Sequence, residues 1–407
     1  MQPERFEIAV PEAVLDDLHE RLAGARFAPD PDTSNGWDAG ANPTYLRQIT
    51  EYWRSHYDFR AREARLNGFA HFRVRLGHGL VHFIHERGHG TEPLPLLLTH
   101  GFPDSFLRFE KLIPRLTDPE AHGAEASDAF HVVVPSLPGY AFSDPDPKPG
   151  GIFRIGKLWH ELMTDVLGYQ RFGAHGGDWG STVTEHLARG HAGSVVGIHM
   201  TDMPFWHAFQ KPKAMSRAEE KYFSSIAQFM TGEGAYAAIQ GTRPRTLADS
   251  LSDSPLGLLA WLIEKFERWS DCDGNLETRF SKDQLLDNAM LYWVTNSIEA
   301  SFAPYYDLTH ASALRWILEK AKDWTGSAQV PAGFAMFPKD LSHPPREWAE
   351  RFFDVRRWSE LPRGGHFAAL EEPELLAEDI RAFFRPLRTA GRELPTVELA
   401  MAGLSGV

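Results

Sequence analysis

Apolar residues recur along this chain at two different periods, and the switch from one to the other divides it. Between Pro11 and Leu22 the apolar positions Val14, Leu15, Leu18 and Leu22 fall at helical spacing, and Tyr45–Tyr57 reads as a second helix. Residues 28–42, rich in Asp, Pro and Gly, predict a loop between them. Phe72–Leu76 and Val81–His85 read as short strands around a Gly-containing turn. From residue 94 strands and helices alternate, which predicts a mostly parallel sheet covered on both faces. Leu94–Thr99 and Phe130–Pro135 are continuous apolar runs of strand length. Lys157–Leu167 predicts an amphipathic helix carrying Leu158, Leu162 and Val166. Strand Arg171–His175, helix Ser181–Ala188 and strand Val195–Met200 follow.

Residues 204–325 break the alternation. They read as mostly helical and hold much of the aromatic content; Ser254 as N-cap and Pro255 at the first helical position start a helix through Leu259, Ile263 and Phe266. Alternation resumes with a strand Gly333–Phe337, a helix near Arg346–Phe353 and a strand near Val355–Trp358. A final helix from near Pro373 puts Leu376, Ile380 and Phe383 on one face. The tail after about Leu387 carries few signals and is expected to be poorly ordered. The expected fold class is therefore α/β: a mostly parallel sheet flanked by helices, with a helical insertion placed to cover the carboxyl ends of the strands. The expected organisation is an amino-terminal segment 1–90, a first core part 91–203, a cap 204–325, and a second core part with the tail, 326–407.

Composition narrows the function classes. Of 407 residues, 43% are hydrophobic and 24% charged, which excludes wholesale disorder, and 12 Trp and 27 Phe suffice to line an apolar pocket. The formal net charge of −13 argues against nucleic acid and against an anionic membrane surface. A single cysteine, Cys272, allows no internal disulfide and fits a cytoplasmic protein. The start MQPERFEIAV has no signal-like apolar region, and the longest apolar runs are strand-sized, so a soluble protein is expected.

The strongest chemical signal is Gly176-Gly177-Asp178-Trp179-Gly180 between a strand and a helix. Its form is that of a nucleophile elbow, in which small residues let a strained turn present one side chain above the sheet; here that side chain is Asp178. An Asp N-cap at a Gly-rich turn is the plain alternative. The loop His100-Gly101-Phe102-Pro103 follows the strand 94–99, where an oxyanion hole belongs, and the amides of Phe102 and Trp179 would converge on one oxygen. Asp340 ends the strand Gly333–Phe337, with Glu347 and Asp354 nearby as other acids, and His366 lies in Arg363-Gly364-Gly365-His366-Phe367. Nucleophile, acid, histidine is the chain order of an α/β-hydrolase triad. A carboxylate nucleophile needs no base, and it suits displacement at an sp³ carbon. The product is an alkyl ester of Asp178, which His366, oriented by Asp340, would hydrolyse with water. The leaving group is a halide or an epoxide oxygen; the latter needs a proton donor, which a phenol of pKa about 10 can be. Two other patterns fail. Gly151-x4-Gly156-Lys157 lacks the Ser or Thr and the preceding strand of a phosphate loop, and no metal-ligand spacing emerges among His160, Glu161, His186 and His191.

With these residues the chain resembles the microsomal-type epoxide hydrolases over roughly residues 5–385. The similarity is carried by Phe6-Glu7-Ile8, Tyr52-Trp53, Tyr57-Asp58-Phe59-Arg60, His100–Phe106, Pro135–Tyr140, the block Gly176–Ser181, Asp253–Leu258 and Leu291-Tyr292-Trp293. The resemblance implies an α/β-hydrolase fold with an N-terminal meander and helical cap, no cofactor, and a vicinal diol as product. It assigns Tyr305 and Tyr236 as ring-opening phenols, with Tyr306 competing for the place of Tyr305, and Trp179, Phe102 and Pro103 as substrate-binding residues. The aromatic cap suggests an apolar, aryl-bearing epoxide, with the epoxide and water as partners and self-association into a homodimer left open. Relatives include membrane-anchored detoxifying enzymes and soluble bacterial enzymes of secondary metabolism; without an anchor, this chain is expected among the latter. A haloalkane or haloacid dehalogenase shares the Asp–His logic, a serine-type acyl hydrolase is disfavoured by Asp178, and a non-catalytic ligand-binding protein on this fold is the reading from another class.

Overall fold

The computed structural model describes residues 2–29, 36–77, 79–146, 151–310 and 328–388. In them nine strands form one sheet: β1 (Glu4–Arg5), β2 (His71–Leu76), β3 (Gly79–Glu86), β4 (Leu94–Thr99), β5 (Phe130–Pro135), β6 (Phe172–Gly176), β7 (Val195–Met200), β8 (Ala328–Met336) and β9 (Phe353–Glu360). Their order is β1-β2-β3-β5-β4-β6-β7-β8-β9. Pairing is antiparallel from β1 to β5 and parallel from β5 to β9. The central strands are buried on both faces, which is why Leu96, Leu97 and Leu98, or Val132, Val133 and Val134, could run without alternation. Because β3 pairs with β5, the amino-terminal segment and the core share one sheet.

Four elements stand out as different from the reading of the sequence. The helix expected over 157–167 is α-helical only at Ile155–Glu161 and continues as a π-turn, Leu162–Val166. There the Thr164 hydroxyl donates to the His160 carbonyl at 2.9 Å and the Leu167 amide reaches back to Leu162, so the ladder is locally re-paired. The helix expected near Arg346–Phe353 stops at Ala349, since Phe353 pairs with Ala328 and begins β9. β8 in turn starts at Ala328, five residues before Gly333, and absorbs Pro331, which lacks an N–H, at a register shift. The helix Phe59–Leu66 was not foreseen; its sequence is Arg-rich, and only the Asp58 N-cap, accepting from the Ala61 amide at 3.1 Å, signals it. The expected Ser254 cap forms, accepting from the Gly257 amide at 3.0 Å at the head of helix Pro255–Trp269. Residues 311–327 of the cap and nearly all of the tail after Leu387 lie outside the described residues.

Helices from Arg217 to Thr309 lie between β7 and β8 in the chain. One of them, Lys282–Thr295, ties three regions together. Asp287 receives Tyr57 Oη at 2.8 Å and Arg62 Nε at 2.9 Å, and Asp283 receives Tyr52 Oη at 2.9 Å. From the same helix, Asn288 Nδ2 donates to the Pro103 carbonyl at 2.8 Å and Tyr292 Oη to that of Asp104 at 3.2 Å. The amino-terminal helices thus hold the cap helix that supports the loop after β4. No helix among the described residues is long and apolar enough to cross a membrane.

Candidate active site

Asp178 sits between β6 and the helix Trp179–Gly190 with φ 57° and ψ −128°. That positive φ is unusual for a residue with a Cβ and costs of order 1–3 kcal/mol, so the surroundings must impose it. They do so by leaving no room. A Cβ on Gly176 would lie 2.3 Å from the Gly180 carbonyl oxygen, and one on Gly180 would lie 1.9 Å from that of Thr99. Asp178 occupies the N-cap position, yet its side chain caps nothing. Instead Oδ1 accepts the Phe102 amide at 2.8 Å and Oδ2 lies 3.4 Å from His366 Nε2. Trp179, whose amide was expected beside that of Phe102, is the first residue of the helix.

His366 Nδ1 is 2.8 Å from Asp340 Oδ1, and both side chains are buried. Burial opposes protonation of His366, but the Asp340 charge and the hydrogen bonds to Asp178 and Asp340 override it and push the imidazole up to about 10. Asp178 shows the converse: burial would raise it, and His366, Arg108 and the Phe102 amide together hold it below the usual carboxylate range. Glu347 and Asp354, the other acids considered, are engaged elsewhere, with Ser216 and Arg356.

The cap supplies the facing wall. Tyr236 stacks on Phe102 with ring centroids 6.2 Å apart, and Tyr305 meets Trp179 edge-on at 5.0 Å. The two phenol rings meet edge-to-face with centroids 5.7 Å apart. Burial, with the Asp178 charge, raises both above the ordinary phenol value. Tyr306 turns away, 40% exposed and stacked over His310 at 3.6 Å. It borders a cleft of about 760 Å³, along with Pro138, Ile152, Pro244 and Pro304; that cleft holds none of Asp178, Asp340 or His366. Pro103 is buried and its carbonyl is bound by Asn288, so it lines the loop rather than reaching Asp178 through a polar contact. Among the described residues no group of three or more His, Cys, Asp or Glu side chains is arranged to hold a metal ion.

Three site residues escaped the sequence reading. Asp202, two residues beyond β7, accepts the Asp178 amide at 3.1 and 3.2 Å and the Ser181 hydroxyl. Arg108 is fully buried, paired with Asp104, and donates to the His366 carbonyl at 3.3 Å. Glu371 accepts the amides of Gly365 at 3.0 Å, Phe367 at 2.9 Å and Asp271 at 2.8 Å, bracketing His366. The i,i+4 spacing of Asp104 and Arg108 was a local signal; Asp202 and Glu371 had none.

A parallel sheet with a strained elbow, a facing amide loop and an Asp–His pair in this chain order defines an α/β-hydrolase, and the alpha/beta hydrolase fold family matches residues 95–257. The family described as Epoxide hydrolase N terminus matches residues 3–109. A protein of Stigmatella aurantiaca is 41% identical over 386 residues, 94% of this chain and 85% of its own length. Epoxide hydrolase 1 of Oryctolagus cuniculus is 34% identical, with 93% of this chain and 88% of that protein covered. The crystal structure of juvenile hormone epoxide hydrolase from the silkworm Bombyx mori superposes with a TM-score of 0.84 at 30% identity, covering 95% of each chain. This chain belongs to the epoxide hydrolase family.

Proposed function

We propose that this protein hydrolyses an apolar epoxide to a vicinal diol through an ester on Asp178. The observation that carries the reading is the placement of one carboxylate, with Oδ1 on the Phe102 amide, Oδ2 facing His366, and two un-ionised phenols in the opposite wall. Oδ1 stays on the Phe102 amide and Oδ2, on the His366 side, attacks the ring carbon. The carbon–oxygen bond of the epoxide breaks, and its electron pair leaves on the epoxide oxygen. Tyr236 or Tyr305 gives that oxygen a proton. A halide leaves without a proton, so the paired phenols favour an epoxide over displacement of chloride.

The second half-reaction begins from the change in Asp178. Esterification removes its charge and the hydrogen bond that helps hold a proton on His366. The imidazolium then gives up its proton, balancing the one lost by the phenol, and becomes the base. It takes a proton from water while the water oxygen attacks Cγ of the ester. The oxyanion develops on Oδ1, where the Phe102 amide already donates, with the Trp179 amide as its proposed second donor. The Cγ–Oδ2 bond breaks, the departing alkoxide takes the proton of the new hydroxyl on Cγ, and the diol leaves with Oδ2 while Asp178 returns to the carboxylate beside a protonated His366. Asp340 keeps the imidazole oriented throughout. Phe102, Trp179, Phe302 and Trp269 around the phenols support an apolar, aryl-bearing substrate. The proposed setting is the cytoplasm, in keeping with a single cysteine.

The test is intact-protein mass spectrometry after mixing variants with a styrene-oxide-like epoxide that the wild type turns over, followed by peptide mapping. His366→Gln is expected to accumulate an adduct on Asp178, and Asp178→Asn to form none. Normal turnover without adduct in His366→Gln would remove the triad assignment; an adduct on another carboxylate would remove the elbow assignment.

A further inference from the structure

Gln240, in the cap, is a polar residue for which the half-reactions above have no use. It is fully buried, and neither its Oε1 nor its Nε2 has a hydrogen-bond partner. Among the described residues it is the one buried side chain left with two such atoms. A buried amide with neither group paired is costly, and a methionine of the same length would avoid that cost. Gln240 lies on the helix Ala235–Thr242, where Tyr236, Gln240 and Gly241 are buried while Ala235, Ala238, Ile239 and Thr242 are exposed. Four residues apart, Tyr236 and Gln240 share one face of that helix, with Cβ atoms about 5–6 Å apart. On this face the Tyr236 ring meets Phe102, Trp269 and Tyr305. The next residue fixes the other side. A Cβ on Gly241 would lie 3.2 Å from the Tyr305 carbonyl oxygen and 2.7 Å from Thr309 Cγ2, so here the helix lies against Ala303–Thr309. Gln240 is therefore held one turn from the first phenol and beside the helix that carries the second.

We infer that Gln240 is a specificity-determining residue whose amide hydrogen-bonds an oxygen of the substrate a few bonds from the epoxide ring. A carbonyl or ether oxygen accepts from Nε2, and a hydroxyl can donate to Oε1. The inference rests on the epoxide reading above and narrows it: the substrate is an apolar epoxide that bears one oxygen function. The phenols receive the ring oxygen, and one helical turn further on the amide receives the second oxygen. A hydrocarbon epoxide leaves the amide unpaired. An oxygen brought to it exchanges water for a group that has no partner in the chain to lose, so a hydrogen bond is gained rather than swapped. The wall around the phenols is otherwise made of the rings of Phe102, Trp179 and Trp269, which cannot tell an ester from a hydrocarbon of the same length by accepting or donating at two atoms.

The experiment compares two probes, the glycidyl ester of benzoic acid and the phenylalkyl epoxide of the same length in which CH2 groups replace the ester. Gln240→Met keeps the length of the side chain and removes both polar atoms. The preference for the ester, as a ratio of kcat/KM values, is expected to fall about tenfold from wild type to Gln240→Met. Because each enzyme meets both probes, differences in their intrinsic reactivity cancel. An unchanged preference overturns the inference, and the amide then serves the fold or a resident water. A Gln240→Met chain that fails to fold also overturns it, since the protein itself then needs the amide. Binding gives a reading without turnover: indole fluorescence follows both probes in Asp178→Asn, with and without Gln240→Met. If neither probe is turned over, a tenfold fall in the binding preference keeps the subsite and removes the epoxide reaction alone. Binding of neither probe removes the subsite too.

Discussion

Asp178 and His366 face each other across 3.4 Å, yet the loops beneath them are held by different means. The elbow is fixed by crowding within the core. Beyond the contacts of Gly176 and Gly180, a Cβ on Gly177 would lie 2.5 Å from Thr201 Oγ1, and one on Gly101 would lie 2.1 Å from Asp178 Oδ1. The histidine loop is fixed by hydrogen bonds, and two of them come from the cap. The His366 amide donates to the Trp269 carbonyl at 2.8 Å, and the Gly364 amide to Asp271 at 2.9 Å. Glu371 bridges the amides of the loop to that of Asp271. Arg279 then joins Asp271 to Glu372. Asp178, the proposed nucleophile, is therefore held by the core, and His366, the proposed base, jointly by core and cap. If the half-reactions divide as proposed, ester formation should tolerate disturbance of the cap seam, and ester hydrolysis should not.

Four expectations sharpen or break that division. Gly101→Ala puts a methyl where Asp178 Oδ1 sits and should lower single-turnover ester formation by well over about 100-fold, since even a 1 Å misplacement can cost that much. A variant that alkylates normally would show that the core does not fix the nucleophile. Next in size, Gly365→Ala drives a methyl to 2.7 Å from the Trp269 carbonyl across the seam. Rapid quench should find ester hydrolysis slowed about 10- to 100-fold while ester formation is largely spared. Equal loss in both steps would erase the distinction. Glu371→Gln keeps the shape but leaves one backbone amide without its acceptor, so hydrolysis should slow by about tenfold or less and ester formation hardly at all.

The smallest effect is on stability. The folded-state value of His366, about 10, lies above its ordinary 6.5, so its contribution is fully present below about pH 6.5 and is lost as pH rises through about 10. Asp178, held below its ordinary value, contributes above that value and loses its contribution as pH falls through the folded one. Melting temperature should decline across the alkaline interval in the wild type and less steeply in His366→Gln. Parallel curves would mean that the imidazolium pair contributes nothing to stability.

Much of the core was legible because its signals are local. A buried parallel strand needs an unbroken apolar run, and Leu94–Thr99 and Phe130–Pro135 supplied them at the ranges observed. The elbow was legible for a steric reason, since only glycines fit where backbone approaches backbone, and they cluster around Asp178. Choices between neighbours were not legible. Tyr305 and Tyr306 are chemically alike and adjacent, and only the orientation of the helix Ala303–Thr309 turns one toward Trp179 and the other toward His310. Asp340 is one acid among several near the end of β8, distinguished by 2.8 Å to His366.

What the chain determined by itself was the order of strands and helices, the strained turn at Asp178 and the residue types gathered for chemistry, because each depends on neighbours a few positions apart. Tertiary structure alone decided which of 55 acidic side chains would serve. Asp202 and Glu371 take their roles from amides 24 and 100 residues away, at Asp178 and Asp271. A carboxylate acquires such a role only when folding removes it from water beside an unpaired N–H, and nothing in its sequence neighbourhood records which N–H that will be.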